Sequence, residues 1–481
     1  MNIPEPHYTF EFEGLSDRLG RGNLHITDHH IESSFTIQVS VDDTHFLKLR
    51  GLQVDSHVAD LVDLAVAISE ADRWTQRNLE FANVIQVCLP VRNLEIFQSE
   101  EIKAHIQQMM YWFTGDYWIF DFKAFSKQHR HAELQRPFWR SSNNTVKAEV
   151  ALWSGGLDAL AGLCNRIEQG VADRFLLFGA GANKYMRGVQ KRIYQQLQHA
   201  INADLNLMQL HIYQRGAAKA GLRPDKHVRA RGAVFMLLGS AYARLEGQKS
   251  LALYENGVGA INLPFRASEV GVDHARSVHP LSLLYVSQLV SLILEERFVV
   301  HNPFLWWTKA EMCKVLVDME IGHIGWQTVS CDRRHHKENC QCGGCSSCIL
   351  RRQSLQAAGI PDNTKYLIHK DTDIARNRLL KTSHLPHMVF QKNALHSLTA
   401  DINGWRKLAR QHPSRIADMV TRLSFDGGES REALTVKVVS LLRRYADEWA
   451  QSNVSAIFEQ EIEDIKRILK QEAHDGLQEG I

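Results

Sequence analysis

Val150-Ala151-Leu152-Trp153-Ser154-Gly155-Gly156-Leu157-Asp158 runs from an apolar strand pattern through two glycines into a segment where Leu160, Leu163, Cys164 and Ile167 share one helical face. A strand that turns through Ser-Gly-Gly into a helix aims several backbone N–H groups at one point. Glycine permits the tight turn and the close approach of an anion, and the helix N-terminus adds about half a positive charge. Ser154, Gly155, Gly156 and Leu157 therefore form a candidate ATP phosphate loop, and Asp158 can order it or help to hold Mg2+ through a carboxylate oxygen. The bland alternative is a strand-to-helix turn with no ligand. The loop is neither a Walker motif, which needs Lys-Ser/Thr after the glycines, nor a dinucleotide fingerprint.

Downstream, Phe175–Phe178, Leu207–Ile212, Leu251–Tyr254 and Phe298–Val300 are short apolar runs separated by helix-length segments. Such alternation predicts an α/β fold with a doubly wound parallel sheet, whose ligands bind at the carboxyl ends of the strands. Gly179 opens a glycine-rich turn on that side and can let an adenine ring lie against backbone; a plain flexible turn is the equal alternative. Upstream, Ser34–Val41 alternates at period two, Leu61, Leu64, Ala65 and Ile68 recur at helical spacing, and Val84–Val91 reads as a strand. Ile102, Ile106, Met109, Met110 and Phe113 mark a helix closed by Gly115, and Tyr117–Phe122 is an aromatic strand. From about residue 375 the chain reads as helical, with Leu434, Val438, Leu441, Leu442, Tyr445 and Trp449 on one face and Ile457, Ile462, Ile465, Ile468 and Leu469 on another; the charges between them read as solvated faces. The expected organisation is an α+β accessory region over 1–145, a core over 146–370 and a helical extension over 371–481, with a polar linker at His129–Asn144.

At 481 residues, with 44% hydrophobic and 23% charged residues, the chain has the balance of a globular protein of two or three domains. A net charge of +2, from 56 basic and 54 acidic residues, offers no basic excess for nucleic acid. The first ten residues lack a signal-peptide pattern, and the apolar run Leu281–Leu294 is broken by Ser282, Ser287, Gln288 and Ser291 and is too short for a bilayer, so a cytoplasmic location is expected.

Five of the eight cysteines lie between residues 331 and 348. Cys342, Cys345 and Cys348 stand at two-residue intervals, and Cys331 supplies a fourth thiolate, with Cys340 as its alternate. Four thiolates close a tetrahedral Zn2+ site; an iron–sulfur cluster is the competing reading. His335 and His336 are read as solvent-facing, as are His129 and His131.

Ser154–Asp158 resembles the SGGxDS loop of PP-loop ATP pyrophosphatases, adenine nucleotide alpha hydrolase-like proteins, with Ala159 in place of the last serine. A lost neutral hydrogen bond is worth about 0.5–1.5 kcal/mol, which implies weaker nucleotide binding rather than inactivity. Residues 146–360 resemble QueC, the 7-cyano-7-deazaguanine synthase family: beyond the loop, Arg229–Met236 matches its arginine-bearing helix start, Trp307–Met312 its TKAE segment, and the cysteines followed by Arg351 and Arg352 its zinc segment. Glu255-Asn256-Gly257, followed by Asn262 and Pro264, and Arg276–Pro280 look more like the defence-associated QatC-type proteins. The resemblance implies an ATP-dependent ligase that adenylates the carboxylate of 7-carboxy-7-deazaguanine and passes it to an amine, a partner protein's N-terminus, in anti-phage defence. It implies Asp158, Arg231, Lys309, Arg276 and His279 as catalytic candidates and Asn256 as a purine-pocket or proton-transfer candidate; each could instead be a structural hydrogen-bonder. Free 7-cyano-7-deazaguanine synthesis with ammonia, RNA modification by a PP-loop enzyme, and a catalytically silent nucleotide-binding subunit are the alternatives.

Overall fold

The strand that enters the Ser-Gly-Gly turn is the middle strand of a five-stranded, all-parallel sheet. The computed structural model describes residues 5–16, 20–42, 54–77, 81–134, 146–180, 184–225, 228–261, 276–331, 340–370, 373–399, 419–424 and 428–478. Along the chain the strands are β1 (Tyr8–Phe12), β2 (Arg21–Asp28), β3 (Ser33–Val41), β4 (Val84–Val91), β5 (Tyr117–Ala124), β6 (Ala148–Leu152), β7 (Arg174–Ala180), β8 (Asp204–Leu210), β9 (Ile212–Arg215), β10 (Ser250–Ala252) and β11 (Val299–His301). They form a mixed sheet ordered β5-β4-β1-β2-β3-β9 and the parallel sheet ordered β11-β10-β6-β7-β8.

In the mixed sheet the period-two strands fold as their patterns require, and two long helices accompany them, with short ones at Leu94–Gln98 and His131–Leu134. α1 (Ser56–Trp74) begins where the Asp55 carboxylate accepts a hydrogen bond from Val58 N at 2.9 Å, and α2 (Glu100–Thr114) ends at Gly115, held at φ 75°. α1 is buried nearly all round and takes Asp60, Asp63, Glu70 and Asp72 inside with it. Buried charge costs several kcal/mol unless paired, about what an unrelieved ion loses with its water. Here Arg92 meets Asp63 at 2.7 Å and Glu133 at 2.6 Å, while Arg130 meets the same two acids at 3.0 and 3.1 Å. Arg77 bridges Asp72 and Asp116 at 2.6 and 2.8 Å.

The parallel sheet sends alternate side chains into two cores, as period two demands. Val150, Leu176, Phe178, Met208 and Leu210 enter one core with α5 (Arg231–Leu245) and α7 (Pro280–Leu294), which is continuous with the core around α1. Ala151, Phe175, Leu177 and Leu205 enter the other with α3 (Leu157–Glu168), α4 (Lys184–Ala200) and α8 (Lys309–Asp318). A short helix, α6 (Gly257–Ile261), follows β10. Serines that interrupt the apolar run of α7 cover the edge of the sheet: Ser287 Oγ accepts from Val300 N at 2.8 Å and Ser291 Oγ from Phe298 N at 2.9 Å. α9 (Ser346–Ala357), which carries Cys348, and farther along the chain α10 (Arg431–Ala450) and α11 (Ser452–Gln478) pack on the core. No helix of the described residues is long and apolar enough to cross a membrane.

Three expectations change, the first being the start of the polar stretch read as a linker: Arg130 and Glu133 are buried and pair with Asp63 and Arg92. The run read as one strand, Leu207–Ile212, divides at His211: β8 stays in the parallel sheet, while β9 pairs antiparallel with β3 and closes an edge that would otherwise leave its N–H and C=O groups unpaired. The charged face of α10 is only partly solvated, because Arg444 and Glu448 bond into the core. Asn262, Pro264, His335 and His336 lie outside the described residues.

The Glu133 cluster sets a pH dependence. Burial alone would raise this carboxyl, but Arg92, Arg130 and His129 hold it down, to about 2. The unfolded chain, with a carboxyl at about 4.5, therefore binds the extra proton between those limits. The contribution of Glu133 is complete above this window and is lost as pH falls through it. Urea melts from pH 5 to 3 are expected to lose stability more steeply in the wild type than in Glu133→Gln, which starts less stable.

Candidate active site and metal centre

β6 leads through Trp153 to the turn, and two features of the turn are forced by packing. Gly155 sits at φ 72°, and a Cβ there would lie 3.1 Å from the Gln190 backbone, so only glycine fits without strain. Gly156 caps α3 with no side-chain hydrogen bond into the first turn, although its own N–H reaches Ser154 Oγ at 3.1 Å. The helix thus starts with N–H groups unclaimed by a capping side chain and with Asp158 in its first turn. Ala159 is buried in the apolar core rather than turned to the loop's open side.

Asp158 is the hub. One carboxylate oxygen accepts from Asn256 Nδ2 at 2.9 Å and the other receives the Lys309 ammonium. Asn256, fully buried, also donates to Glu255 Oε1 at 2.7 Å and accepts from Gly259 N at 2.8 Å, so its amide bridges two carboxylates at the start of α6. Burial would strip the proton from Lys309, but the Asp158 and Glu255 carboxylates more than offset this and raise its pKa above the lysine range. Burial and the Asp158 charge push the Glu255 carboxyl upwards, while Lys309 and Asn256 pull it back. Lys309 itself is placed by a capping box: Thr308 Oγ1 accepts from Glu311 N at 3.1 Å, and Glu311 accepts from Thr308 N at 2.8 Å. The TKAE segment is therefore a helix start that carries an ammonium on its first residue.

The other sequence candidates sit elsewhere. Arg231 opens α5, exposed, and lines a cavity of about 60 Å³ with Asp72, Arg73 and Gln214; among the described residues it makes no ion pair. Arg276 stacks its guanidinium 4.5 Å from the centre of the Trp112 ring and bonds the Trp112 carbonyl. His279 caps α7, accepting from Leu281 N at 3.2 Å, with its ring 5.2 Å from that of Trp112. Gly179 has no side chain because Gln190 takes the space: a Cβ would lie 2.5 Å from Gln190 Oε1. Glu255 was not singled out as a site residue from the sequence. It entered only as part of Glu255-Asn256-Gly257, the stretch that carries the QatC-type likeness.

The cysteines converge. The Sγ atoms of Cys331, Cys342, Cys345 and Cys348 all lie within 4.8 Å of one another, and all four residues are buried. Cys342 and Cys348 have Sγ atoms 3.9 Å apart, against roughly 3.8 Å for the edge of a tetrahedral Zn–S4 unit with 2.3 Å bonds. Cys342 N and Cys345 N donate to Cys331 Sγ and Cys342 Sγ, both at 3.3 Å, which stabilises thiolates. Four sulfurs with supporting N–H donors fit zinc held for structure, with no position left for substrate. Beside them Arg351, fully buried, binds Gly325 O at 2.6 Å and Thr328 Oγ1 at 2.7 Å, and Gln341 binds Thr328 O at 3.1 Å. That stretch continues to Val329, whose carbonyl would lie 3.5 Å from a Cβ on Gly156, so the segment beside the cysteines runs close to the glycine turn.

Residues 148–359 match the family described as queuosine biosynthesis protein QueC. This segment is homologous to QueC. It is 29% identical over 235 residues to the 7-cyano-7-deazaguanine synthase of Cupriavidus metallidurans, covering 46% of this chain and 98% of that protein. The synthase of Methylococcus capsulatus is 27% identical over 235 residues, 46% of this chain and 99% of its own. For that of Cupriavidus pinatubonensis the figures are 29% over 151 residues, 31% of this chain and 62% of the relative. The mixed sheet up to β5 and helices α10 and α11 lie outside the QueC-homologous segment.

Metal analysis is expected to return about one zinc per chain. Cys345→Ser should lose it, at a local cost on the order of 10 kcal/mol, and make residues 340–370 sensitive to protease. About two or more irons per chain would instead assign a cluster.

Proposed function

We propose that this chain is an ATP-dependent carbon–nitrogen ligase that activates the carboxylate of a 7-deazaguanine acid, 7-carboxy-7-deazaguanine or a close relative, and delivers it to an amine. The observation that carries the reading is the meeting of Asp158, Lys309, Asn256 and Glu255 at the carboxyl end of the parallel sheet, beside a helix start without a side-chain cap. Homology to QueC supplies the substrate class, since the relatives bear the name 7-cyano-7-deazaguanine synthase.

In the first step a carboxylate oxygen of the acid attacks the α-phosphorus of ATP, and the bond from that phosphorus to the pyrophosphate oxygen breaks. The amine nitrogen then attacks the acyl carbon, the bond to AMP breaks, and the nitrogen gives up a proton to leave an amide. Negative charge gathers on the phosphoryl oxygens. The N–H groups at the start of α3 and the Lys309 ammonium are fixed donors for that charge, and Asp158 would hold Mg2+ on the phosphates. Because Asp158 and Glu255 keep Lys309 protonated, its charge persists through neutral pH.

The acceptor in this reading is the N-terminus of a partner protein in an anti-phage defence system. Its support is the likeness of Glu255-Asn256-Gly257 and Arg276–Pro280 to QatC-type proteins, together with two long regions flanking the homologous segment. Ammonia is the competing acceptor, favoured by relatives of which the match covers nearly the whole length; the amide it gives would become free 7-cyano-7-deazaguanine when a second ATP activates the amide oxygen and that oxygen leaves with AMP.

Purified protein with ATP, Mg2+ and 7-carboxy-7-deazaguanine is expected to release AMP and pyrophosphate, and to add the acid's mass to a protein encoded beside it. Lys309→Met and Asp158→Asn should each slow AMP release by about a hundredfold or more. A nitrile formed with ammonium and no labelled partner moves the acceptor to ammonia. No AMP from any acid, with the two variants indistinguishable from wild type, overturns the ligase reading.

A further inference from the structure

The QueC-homologous segment ends at residue 359, yet the turn that presents Lys309 is fastened from beyond it. Three residues on one face of α10 make the attachment. Arg444 donates from Nε to Glu311 Oε1 at 2.7 Å and from Nη2 to the Trp306 carbonyl at 2.6 Å. Glu448 accepts the Thr308 hydroxyl on one oxygen and Gln353 Nε2, at 3.1 Å, on the other. Leu441 packs so closely on α6 that a Cβ on Gly257 would lie 2.7 Å from its Cδ2. Positions 441, 444 and 448 are spaced three and four apart, so one helical stripe carries all three.

Each contact lands on a part of the site's frame. Thr308 and Glu311 are the two halves of the capping box around Lys309, and Thr308 is fully buried. Gly257 follows Asn256, and its N–H donates to the Trp307 carbonyl at 2.8 Å, tying the Glu255-Asn256 turn to the Lys309 turn. A Cβ on Gly257 would meet the Leu305 carbonyl at 1.9 Å, so the two turns touch backbone to backbone. α10 closes over this junction from outside the QueC-homologous segment.

We propose that Arg444 and Glu448 are positioning residues for Lys309: by fixing the capping box that starts α8, α10 sets where the ammonium stands against Asp158, and the ATP-activating centre depends on this C-terminal helix. The inference rests on the ligase reading for its catalytic consequence, but not for its structural one. Neither side chain reaches the reacting groups. They act through Thr308 and Glu311, and a misplacement of about 1 Å in a charge-stabilising group is enough to cost about a hundredfold in rate. Because Lys309 is assigned to charge that develops during the reaction, the loss should appear in kcat rather than in KM for ATP.

The test uses the full chain with Arg444→Ala and Glu448→Ala together. AMP release should fall about thirtyfold in kcat with KM for ATP changed by less than about threefold, and Arg444→Lys with Glu448→Gln should recover most of the rate. Val436→Ser, on the exposed side of the same helix, should leave the rate unchanged. A brief acetic anhydride pulse, read by peptide mass spectrometry, reports Lys309 without turnover: buried and paired it reacts slowly, and in the double variant it should react about tenfold faster. If the double variant loses its zinc or its melting transition, Arg444→Ala alone carries the same labelling test, since that side chain is 39% exposed. A folded variant with wild-type Lys309 labelling and wild-type kcat overturns the proposal. Faster labelling in a protein whose wild type makes no AMP would support the positioning and refute the ligase reading.

Discussion

An ammonium and a carboxylate leave water together or at great cost, and the buried contact between Lys309 and Asp158 is the constraint on which this structure turns. To make it, the end of β6 and the start of α8 must meet, although 151 residues separate the partners. Asn256 and Glu255 fill the remaining side, so an amide and a second carboxylate share the same charge. The doubly wound sheet makes this possible, because β6 and β10 are neighbours and both end at the same edge. What surrounds the pair is support for it: the glycine turn below and a capping box under the lysine.

The readable parts of the sequence were those whose physics is local. Period two in Ser34–Val41 and Val84–Val91, helical spacing in α2, and cysteines at fixed intervals each state their structure within a few residues. Ser154–Asp158 belongs with them, since the glycines and the helix start are contiguous. Lys309 was visible through a likeness, and the T-x-x-E pattern that holds it was present without being read as a cap. Glu255, Arg444 and Glu448 were not legible as part of the site. Their roles depend on neighbours far along the chain, and a glutamate or arginine on a helix otherwise reads as a solvated charge. Arg276 and His279, also named from the sequence, stand against Trp112 and at the start of α7, apart from Asp158 and Lys309.

The accessory region follows another logic. α1 is buried so completely that its aspartates need cations brought in with them: Arg92 and Arg130 meet at Asp63, and Arg77 pairs with Asp72. Such a network stabilises little relative to an apolar core but penalises any other arrangement of its members. It fixes the pose of α1, and α1 shares its core with α5 of the parallel sheet.

β9 is only four residues long, yet it decides an order of events. β3 is paired on one side by β2, and its other side waits for Ile212–Arg215. On the ribosome the mixed sheet therefore emerges with an open edge, which stays open while three strands of the parallel sheet are still being made. The sheet begun in the first 145 residues gains its sixth strand only when the centre of the chain arrives. That short strand joins the two sheets in sequence as the shared core of α1 and α5 joins them in packing.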